Sequence, residues 1–166
     1  MSMSEESLKA AFAGESQANR KYLAFAEKAK REGHNQAARL FLAAAEAETI
    51  HAHNHLRALK GIRSTKENLQ EAVSGETHEF KNMYPEMLEK AKQEGNKEAE
   101  RSFKYALDTE KGHAELYQKL LNNLDTSKEE YPYFVCPVCG YTAEKEAPHE
   151  KCPLCSVKSN NFIKIE

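Results

Sequence analysis

Two glutamate–histidine pairs are the residues most able to do chemistry in this sequence. Glu48 and His51 lie three positions apart, and Glu110 and His113 repeat that spacing 62 positions later. A spacing of three places both side chains of a pair on one face of a helix. Because that face is otherwise apolar in both segments, the carboxylates are predicted to lie in a core, where an ionised group requires a compensating partner.

Two other helical segments supply further carboxylates, Glu15 in one and Glu76 with Glu79 in the other. Two E-x-x-H pairs combined with carboxylates from two more helices form a two-metal site in four-helix bundles. Oxygen-rich ligands with one imidazole per metal favour iron or manganese. Tyr22 and Tyr84, in or beside the same faces, are predicted to donate hydrogen bonds to the ligating carboxylates. The predicted metal ligands are Glu15, Glu48, His51, Glu76, Glu79, Glu110 and His113.

The four cysteines form a second predicted metal site. They make two C-x-x-C pairs, Cys136/Cys139 and Cys152/Cys155, with twelve residues between the pairs. Four thiolates at this spacing bind zinc or a single iron tetrahedrally, and the spacing does not distinguish the two. Iron is favoured by context, since a redox-active di-metal centre in the same chain needs electrons one at a time.

Apolar residues recurring every three or four positions predict the helices that carry these ligands. Ser4 is predicted to cap the first helix, and Gly61 to end the second. Ser64 and Glu67 form a candidate capping box for the third helix, in which Pro85 should cause a kink or a local irregularity. The predicted helices cover about 4–32, 35–60, 64–95 and 96–124.

An internal repeat supports this division into two similar helical hairpins. The two E-x-x-H pairs are 62 positions apart, as are Tyr22 and Tyr84, whereas Glu15 and Glu76 are 61 apart. The first and third helices therefore differ by one residue between the glutamate and the tyrosine. A π-bulge accommodates such a slip, and π-bulges are frequent at functional sites.

The fold class predicted is an all-α four-helix bundle of the ferritin-like type, followed by a small metal-bound domain. The bundle is expected at 1–127 and the small domain at 131–166, which without metal would be too short to hold a core. A net charge of −2 excludes a strongly basic nucleic-acid-binding surface, and the sequence has no apolar run of the roughly 18 residues that a membrane span needs. The first residues lack the positively charged stretch followed by an apolar stretch that marks a secretion signal, so a cytoplasmic protein is expected.

Taken together, these motifs resemble the rubrerythrin family along essentially the whole chain. The resemblance is carried by Ala13-Gly14-Glu15-Ser16, Glu48-x-x-His51, Gly75-Glu76-Thr77-His78-Glu79, Met83-Tyr84-Pro85, Glu110-x-x-His113 and the two cysteine pairs. It implies a di-iron centre that reduces hydrogen peroxide to water in oxidative stress defence, with electrons relayed through a rubredoxin-type iron. The stretch between the cysteine pairs is shorter than in free-standing rubredoxins, as is usual in rubrerythrins.

The resemblance also implies roles for the ligands. Glu15 and Glu76 would be terminal ligands and Glu48 and Glu110 would bridge the irons, while His113 holds one iron and Glu79 and His51 alternate on the other. It further implies a homodimer, in which the cysteine-bound iron of one chain can serve the di-iron site of the other. The expected electron donor is a reductase or a rubredoxin, supplied ultimately by NAD(P)H.

The competing prediction is a ferritin-like ferroxidase or iron-handling protein, with the cysteines forming a structural zinc ribbon. Iron storage has no use for an inbound electron carrier, and Glu79 adds one carboxylate to the four that are usual in ferritin-like di-iron sites. Both features favour the peroxidase.

Overall fold

In the computed structural model, which describes residues 2–166, the chain folds into two compact units. The first unit ends at Arg63, and the second comprises Ser64–Glu166.

The first unit is a helical hairpin of α1 (Met3–Arg31) and α2 (Asn35–Ala58). Ser2 caps α1, with its Oγ accepting a hydrogen bond from the Glu5 N–H at 3.2 Å. The prediction of Ser4 as the cap was therefore wrong. Ser2 rather than Ser4 has a glutamate three positions later, the pattern typical of a helix start.

The end of α2 also differs from the prediction. The helix ends at Ala58, and the left-handed residue that follows it is Lys60, with φ of 55°, rather than Gly61. Gly61 donates its N–H to the Leu56 carbonyl at 2.9 Å. A Cβ at Gly61 would lie 2.4 Å from Leu56 Cδ1, so the Leu56 side chain would have to shift, and glycine is favoured here by that close approach and not by a positive φ.

Small residues let α1 and α2 pack closely. The buried positions of the hairpin are all alanines: Ala26, Ala29, Ala38, Ala45 and Ala52. Asn19 of α1 crosses to α2, where its Nδ2 donates to the Ala45 carbonyl at 2.7 Å and to Thr49 Oγ1 at 2.8 Å. Tyr22 and Phe41 extend the contact, with ring centroids 6.1 Å apart.

The second unit begins with the remaining helices. Ser64 and Glu67 form the predicted capping box, in which each side chain accepts a hydrogen bond from the other residue's backbone N–H. The helical segments are α3 (Thr65–His78), a π-helical segment (Glu79–Met83), α4 (Tyr84–Gln93) and α5 (Lys97–Asn123).

The π-helical segment divides what the sequence predicted as one helix. The Tyr84 N–H donates to the Glu79 carbonyl, five residues back, and the next residue is Pro85, which has no N–H to offer. The extra residue lies between Glu76 and Tyr84, so the slip in the repeat falls in the third predicted helix. The prediction of a π-bulge is confirmed, and so is the irregularity at Pro85.

The small domain is a three-stranded antiparallel sheet with two cysteine turns. The strands β1 (Tyr133–Val135), β2 (Thr142–Glu144) and β3 (Ile163–Ile165) are ordered β2-β1-β3. Each C-x-x-C pair is followed by a residue of positive φ, Gly140 at 83° and Ser156 at 63°. Both donate their N–H to the carbonyl of the first cysteine of the pair at 3.0 Å.

The predicted class, helical with a small four-cysteine domain, is confirmed. Within residues 2–166, no helix is long and apolar enough to cross a membrane.

We predict that Asn19→Ala lowers the free energy of unfolding by about 1–3 kcal/mol, because the Ala45 carbonyl and Thr49 Oγ1 lose a partly buried donor. Urea denaturation would measure the loss. The control is Asn54→Ala, which removes an exposed contact with Arg57 within one helix. Equal losses of stability in the two variants would contradict the prediction that the hydrogen bonds of Asn19 stabilise the packing of α1 on α2.

Candidate metal centres

The first candidate metal centre lies in the α1–α2 hairpin. Glu15 of α1 and Glu48 and His51 of α2 bring their ligand atoms within 4.8 Å of one another. His51 Nδ1 lies 2.8 Å from Glu48 Oε2, as the i, i+3 spacing predicts. The Glu48 side chain is 18% exposed and that of His51 is 52% exposed, so the imidazole has space to move.

The second candidate metal centre repeats this arrangement in the second unit. Glu76 of α3 and Glu110 and His113 of α5 also place their ligand atoms within 4.8 Å of one another. His113 Nδ1 lies 2.8 Å from Glu110 Oε2 and 3.7 Å from Glu76 Oε1. Here the histidine is more enclosed, with 28% of its side chain exposed.

Charge is concentrated at this second cluster. Burial, the hydrogen bond with Glu110 and the negative charge of Glu110 together raise the pKa of Glu76 to about 7. The hydrogen bond from His113 lowers the pKa of Glu110 and raises that of His113. A bound cation would replace these protons. Carboxylate oxygens with one imidazole fit iron or manganese, so both clusters suit the predicted metals.

Glu79, the first residue of the π-helical segment, lies outside the three-residue cluster but close enough to interact with it. Burial and the Glu110 carboxylate both raise the pKa of Glu79. Of the seven predicted ligands, six fall into the two clusters, three in each, and Glu79 stands beside the second.

The tyrosines occupy equivalent positions in the two units. Tyr22 packs on Phe41, and Tyr84 packs on Phe103 with ring centroids 6.4 Å apart. Burial, followed by the negative charge of Glu79, raises the pKa of Tyr84, which places this hydroxyl among the carboxylates. Burial and the charges of Glu76 and Glu110 likewise raise the pKa of Tyr117, a residue on α5 that is not among the site residues predicted from the sequence.

The four cysteines come together as predicted. Their sulfurs lie within 4.8 Å of one another, with Cys136 and Cys155 3.4 Å apart and Cys139 and Cys152 3.5 Å apart. Burial raises the pKa of the Cys136 thiol, but the backbone N–H groups of Cys139 and Val138, together with hydrogen bonds from the Cys155 and Cys139 side chains, lower the pKa to about 7. N–H groups that stabilise a thiolate also stabilise a thiolate-bound metal.

The small domain packs against α5, the helix that supplies Glu110 and His113. Tyr105 contacts the cysteine cluster, and one turn later Thr109 Oγ1 donates to the Cys139 carbonyl at 2.9 Å. One further turn along, His113 Nε2 lies 2.9 Å from Thr142 Oγ1. The face of α5 bearing these three residues, four apart, therefore meets the four-cysteine site.

Sequence reasoning missed Thr109 and Thr142. Thr109 directly precedes Glu110, but a threonine on a buried helix face is not part of any sequence motif that would mark it as a contact of the small domain. Each of these contacts joins residues 29 or 30 positions apart, and no local pattern encodes such a pairing.

The sequence matches two family models. The model described as Rubrerythrin matches residues 6–121, and the model described as Rubrerythrin, rubredoxin-like domain, matches residues 134–163. Rubrerythrin-2 of Clostridium acetobutylicum is 40% identical over 156 residues, covering 84% of this chain and 85% of that protein. Nigerythrin of Nitratidesulfovibrio vulgaris is 37% identical over 150 residues, covering 82% of this chain and 74% of that protein.

A solved structure described as the fully reduced, all-ferrous state of nigerythrin is similar to this chain. The TM-score is 0.60 at 35% identity, covering 99% of this chain and 88% of that one. A mixed-valence state of nigerythrin matches with a TM-score of 0.59 at 36% identity.

We predict that the affinity of the metal-free protein for Mn(II) at the second cluster rises with pH up to about 7. Because the pKa of Glu76 is raised to about 7, this carboxyl keeps below pH 7 a proton that the metal must displace, and the raised pKa of His113 adds to the dependence in the same direction. Each displaced proton changes the affinity by about tenfold per pH unit. Above about pH 7 Glu76 is ionised, and its contribution to this dependence ends.

Calorimetry in buffers of different ionisation enthalpy would count the protons released. Glu76→Gln should weaken binding and flatten the pH dependence, whereas Glu115→Gln, at an exposed position of α5, should leave both unchanged. Affinity that does not vary with pH below 7 would contradict the protonated state assigned to Glu76.

Proposed function

Because this chain belongs to the rubrerythrin family, we propose that it is a non-haem di-iron peroxidase that reduces hydrogen peroxide to water in oxidative stress defence. The observation that carries the proposal is the combination of two carboxylate–histidine clusters with four cysteines packed on the helix of the second cluster. The reaction consumes one peroxide, two electrons and two protons and gives two waters.

The di-iron ligands proposed are the seven predicted from the sequence. Residues 1–127 are proposed as the di-iron domain, and 131–166 as the domain that holds one iron through Cys136, Cys139, Cys152 and Cys155. Two divalent irons bring four positive charges to five carboxylates, which nearly balances the carboxylate charge. The proposed ligands are Glu15, Glu48 and His51 together with Glu76, Glu79, Glu110 and His113.

The difference between the two histidines supports the proposed exchange of ligands. His113 is held by Glu110 on one side and by Thr142 on the other, which suits a ligand retained in both redox states. His51 is half exposed, which suits a ligand that leaves its metal. Glu79 is the carboxylate proposed to take its place.

The bound irons would supply one electron each, and the protein's own groups manage charge and protons. The pKa values of Tyr84 and Tyr117 are raised by burial and by nearby carboxylates, so both hydroxyls keep their protons at neutral pH. As donors they can orient ligating carboxylates and offer a hydrogen bond to peroxide. A ligating carboxylate would relay the proton to the departing oxygen.

The proposed partners follow from the electron requirement. A reductase or a rubredoxin, drawing on NAD(P)H, would reduce the cysteine-bound iron in single-electron steps. The protein is proposed to act in the cytoplasm as a homodimer.

The second candidate function is a ferroxidase with a structural zinc site, which the thiolate cluster alone would equally suit. Two measurements distinguish it. Ferric iron bound by four thiolates is red and zinc is colourless. A peroxidase reduced anaerobically is oxidised faster by stoichiometric peroxide than by oxygen.

We predict that Cys139→Ser abolishes steady-state turnover with an external reductant but leaves one peroxide-driven oxidation of the pre-reduced di-iron site. The substitution removes a ligand of the electron-entry iron, not of the site that meets peroxide. Stopped-flow absorbance would record both phases. Val138→Ser, an exposed change in the same turn, is the control and should turn over normally. Undiminished turnover in Cys139→Ser would show that electrons enter elsewhere.

We predict that Glu79→Ala slows oxidation by peroxide about ten- to a thousandfold, or roughly 1.4–4 kcal/mol of barrier. The ferric state loses a stabilising carboxylate, so the reduction potential rises and the preference for peroxide over oxygen is lost. Single-turnover kinetics of the iron-loaded variant would measure this. Glu89→Ala, exposed on α4, serves as the control. Wild-type peroxide kinetics in Glu79→Ala would mean that Glu79 does not bind iron.

A further inference from the structure

The connection between α2 and α3 limits how a single chain can close a ferritin-like bundle. Such a bundle contains one long crossover, after which the chain runs again in the direction of the preceding helix. The connections 32–34, between α1 and α2, and 94–96, between α4 and α5, are three residues each and only reverse the chain. The crossover would therefore have to be 59–64, the six residues between α2 and α3.

The distance that this crossover would have to span follows from the ligand positions. Glu48 lies ten residues before the end of α2, and Glu76 lies eleven residues after the start of α3. If α2 and α3 run in the same direction with these ligands at one level, the end of α2 and the start of α3 lie at opposite ends of the bundle. At 1.5 Å per helical residue, that separation is about 30 Å.

The connection is shorter than this distance. Lys60 has a φ of 55°, and Gly61 donates its N–H to the Leu56 carbonyl, so the first half of the connection turns around the end of α2. From Gly61 to Thr65 an extended chain covers about 14 Å, and all of 59–64 fully extended would cover about 25 Å. One chain therefore cannot bring Glu48 and Glu76 to one level in a ferritin-like arrangement.

Each unit also carries an incomplete site beside exposed apolar side chains. Each cluster contains three ligands, whereas the proposed di-iron site has seven. Leu40, which is 69% exposed, lies three turns before His51 on the same face of α2. Leu120, which is 41% exposed, lies two turns after His113 on α5. Large apolar side chains exposed beside metal ligands are typical of a surface that another protein surface covers.

We propose that two copies of this chain exchange helical hairpins, so that α1–α2 of one copy and α3–α5 of the other together form each di-metal centre. The inference rests on the proposed function, because it distributes the seven proposed ligands over two chains. A dimer then holds two complete centres, and the connection 59–64 passes from one centre to the other without a crossover. One copy supplies Glu15, Glu48 and His51, and the other supplies Glu76, Glu79, Glu110 and His113.

The exposed leucines fit this exchange. In a ferritin-like bundle α2 of one copy is antiparallel to α5 of the other, with Glu48 and Glu110 at one level. Leu40 lies eight residues before Glu48, and Leu120 lies ten residues after Glu110. These offsets correspond to about 12 and 15 Å along the two helices, in the same direction from the metals. The two side chains would therefore cover each other at one end of the centre.

Complementation between two defective variants tests the exchange. Full-length Glu48→Gln/His51→Ala chains and Glu110→Gln/His113→Ala chains, carrying different tags, are co-expressed, and assemblies that hold both tags are purified. Exchange combines the unaltered α1–α2 of one variant with the unaltered α3–α5 of the other, which restores one centre of the two. Loaded with Mn(II), which prefers oxygen ligands to thiolates, the mixed assembly should show about half the wild-type content of magnetically coupled Mn(II) pairs by EPR. Either variant alone should show none.

The matched control combines two variants that are altered in the same hairpin, Glu48→Gln/His51→Ala and Glu15→Gln. Exchange restores no centre in this mixture, so coupled pairs should be absent. Circular dichroism checks that each assembly is folded, and the isosteric single variants Glu48→Gln and Glu110→Gln replace the double variants if these do not fold. Absence of coupled pairs in the complementing mixture, equal recovery in both mixtures, or a monomeric wild-type chain with coupled pairs would overturn the proposal.

Lengthening the connection tests the cause of the exchange. About 30 Gly and Ser residues inserted after Ile62 give a flexible connection of about 30 Å, which lets each chain close a bundle with its own hairpins. Because the chain's own hairpin is then present at millimolar effective concentration, recovery in the complementing mixture should fall at least about tenfold. The same insertion after Lys128, an exposed residue outside the helices and strands, is the control and should leave recovery unchanged. Undiminished recovery with the insertion after Ile62 would overturn the role of the connection length.

None of these measurements uses peroxide, so the two proposals can fail separately. Recovered Mn(II) pairs in a protein whose iron-loaded form does not reduce peroxide would contradict the peroxidase proposal alone. Peroxide reduction by the wild type without recovery in the complementing mixture would contradict the exchange of hairpins alone.

Discussion

The concentration of carboxylate charge on inward helix faces is the constraint on which the rest of this structure depends. Glu76 and Glu110 approach closely enough that burial, the hydrogen bond with Glu110 and the negative charge of Glu110 raise the pKa of Glu76 to about 7. A fold that relied only on apolar burial would avoid such a pair, because an uncompensated buried charge is costly. The helices instead hold carboxylates and imidazoles at metal-binding separations twice, once in each unit.

The helix α5 connects the two kinds of metal site. One face provides Glu110 and His113, and an overlapping face, through Tyr105, Thr109 and His113, receives the four-cysteine domain. An ion pair between Lys119 and Glu144 adds a further contact along the same helix. His113 belongs to both faces, so the position of the small domain and the orientation of a metal ligand are determined together.

The π-helical segment shows how a duplicated sequence can diverge at its site. Both units retain an aromatic pair, Tyr22 with Phe41 and Tyr84 with Phe103, at the same offset. The added residue between Glu76 and Tyr84 is accommodated by the π-helical segment, whose first residue is Glu79. Each cluster therefore has two glutamates and one histidine, yet the second has an additional carboxylate beside it.

The sequence by itself determined the features that depend on local spacing. The E-x-x-H pairs, the cysteine pairs, the capping box at Ser64 and the one-residue slip could all be predicted, because each follows from helix or turn geometry within a few residues. Local reasoning failed at the cap of α1 and the end of α2, where several residues compete. Only the tertiary structure decided the contacts of Thr109 with Cys139 and of His113 with Thr142. These pairings join segments that meet only when the small domain packs on α5, and no periodicity in the chain specifies that packing.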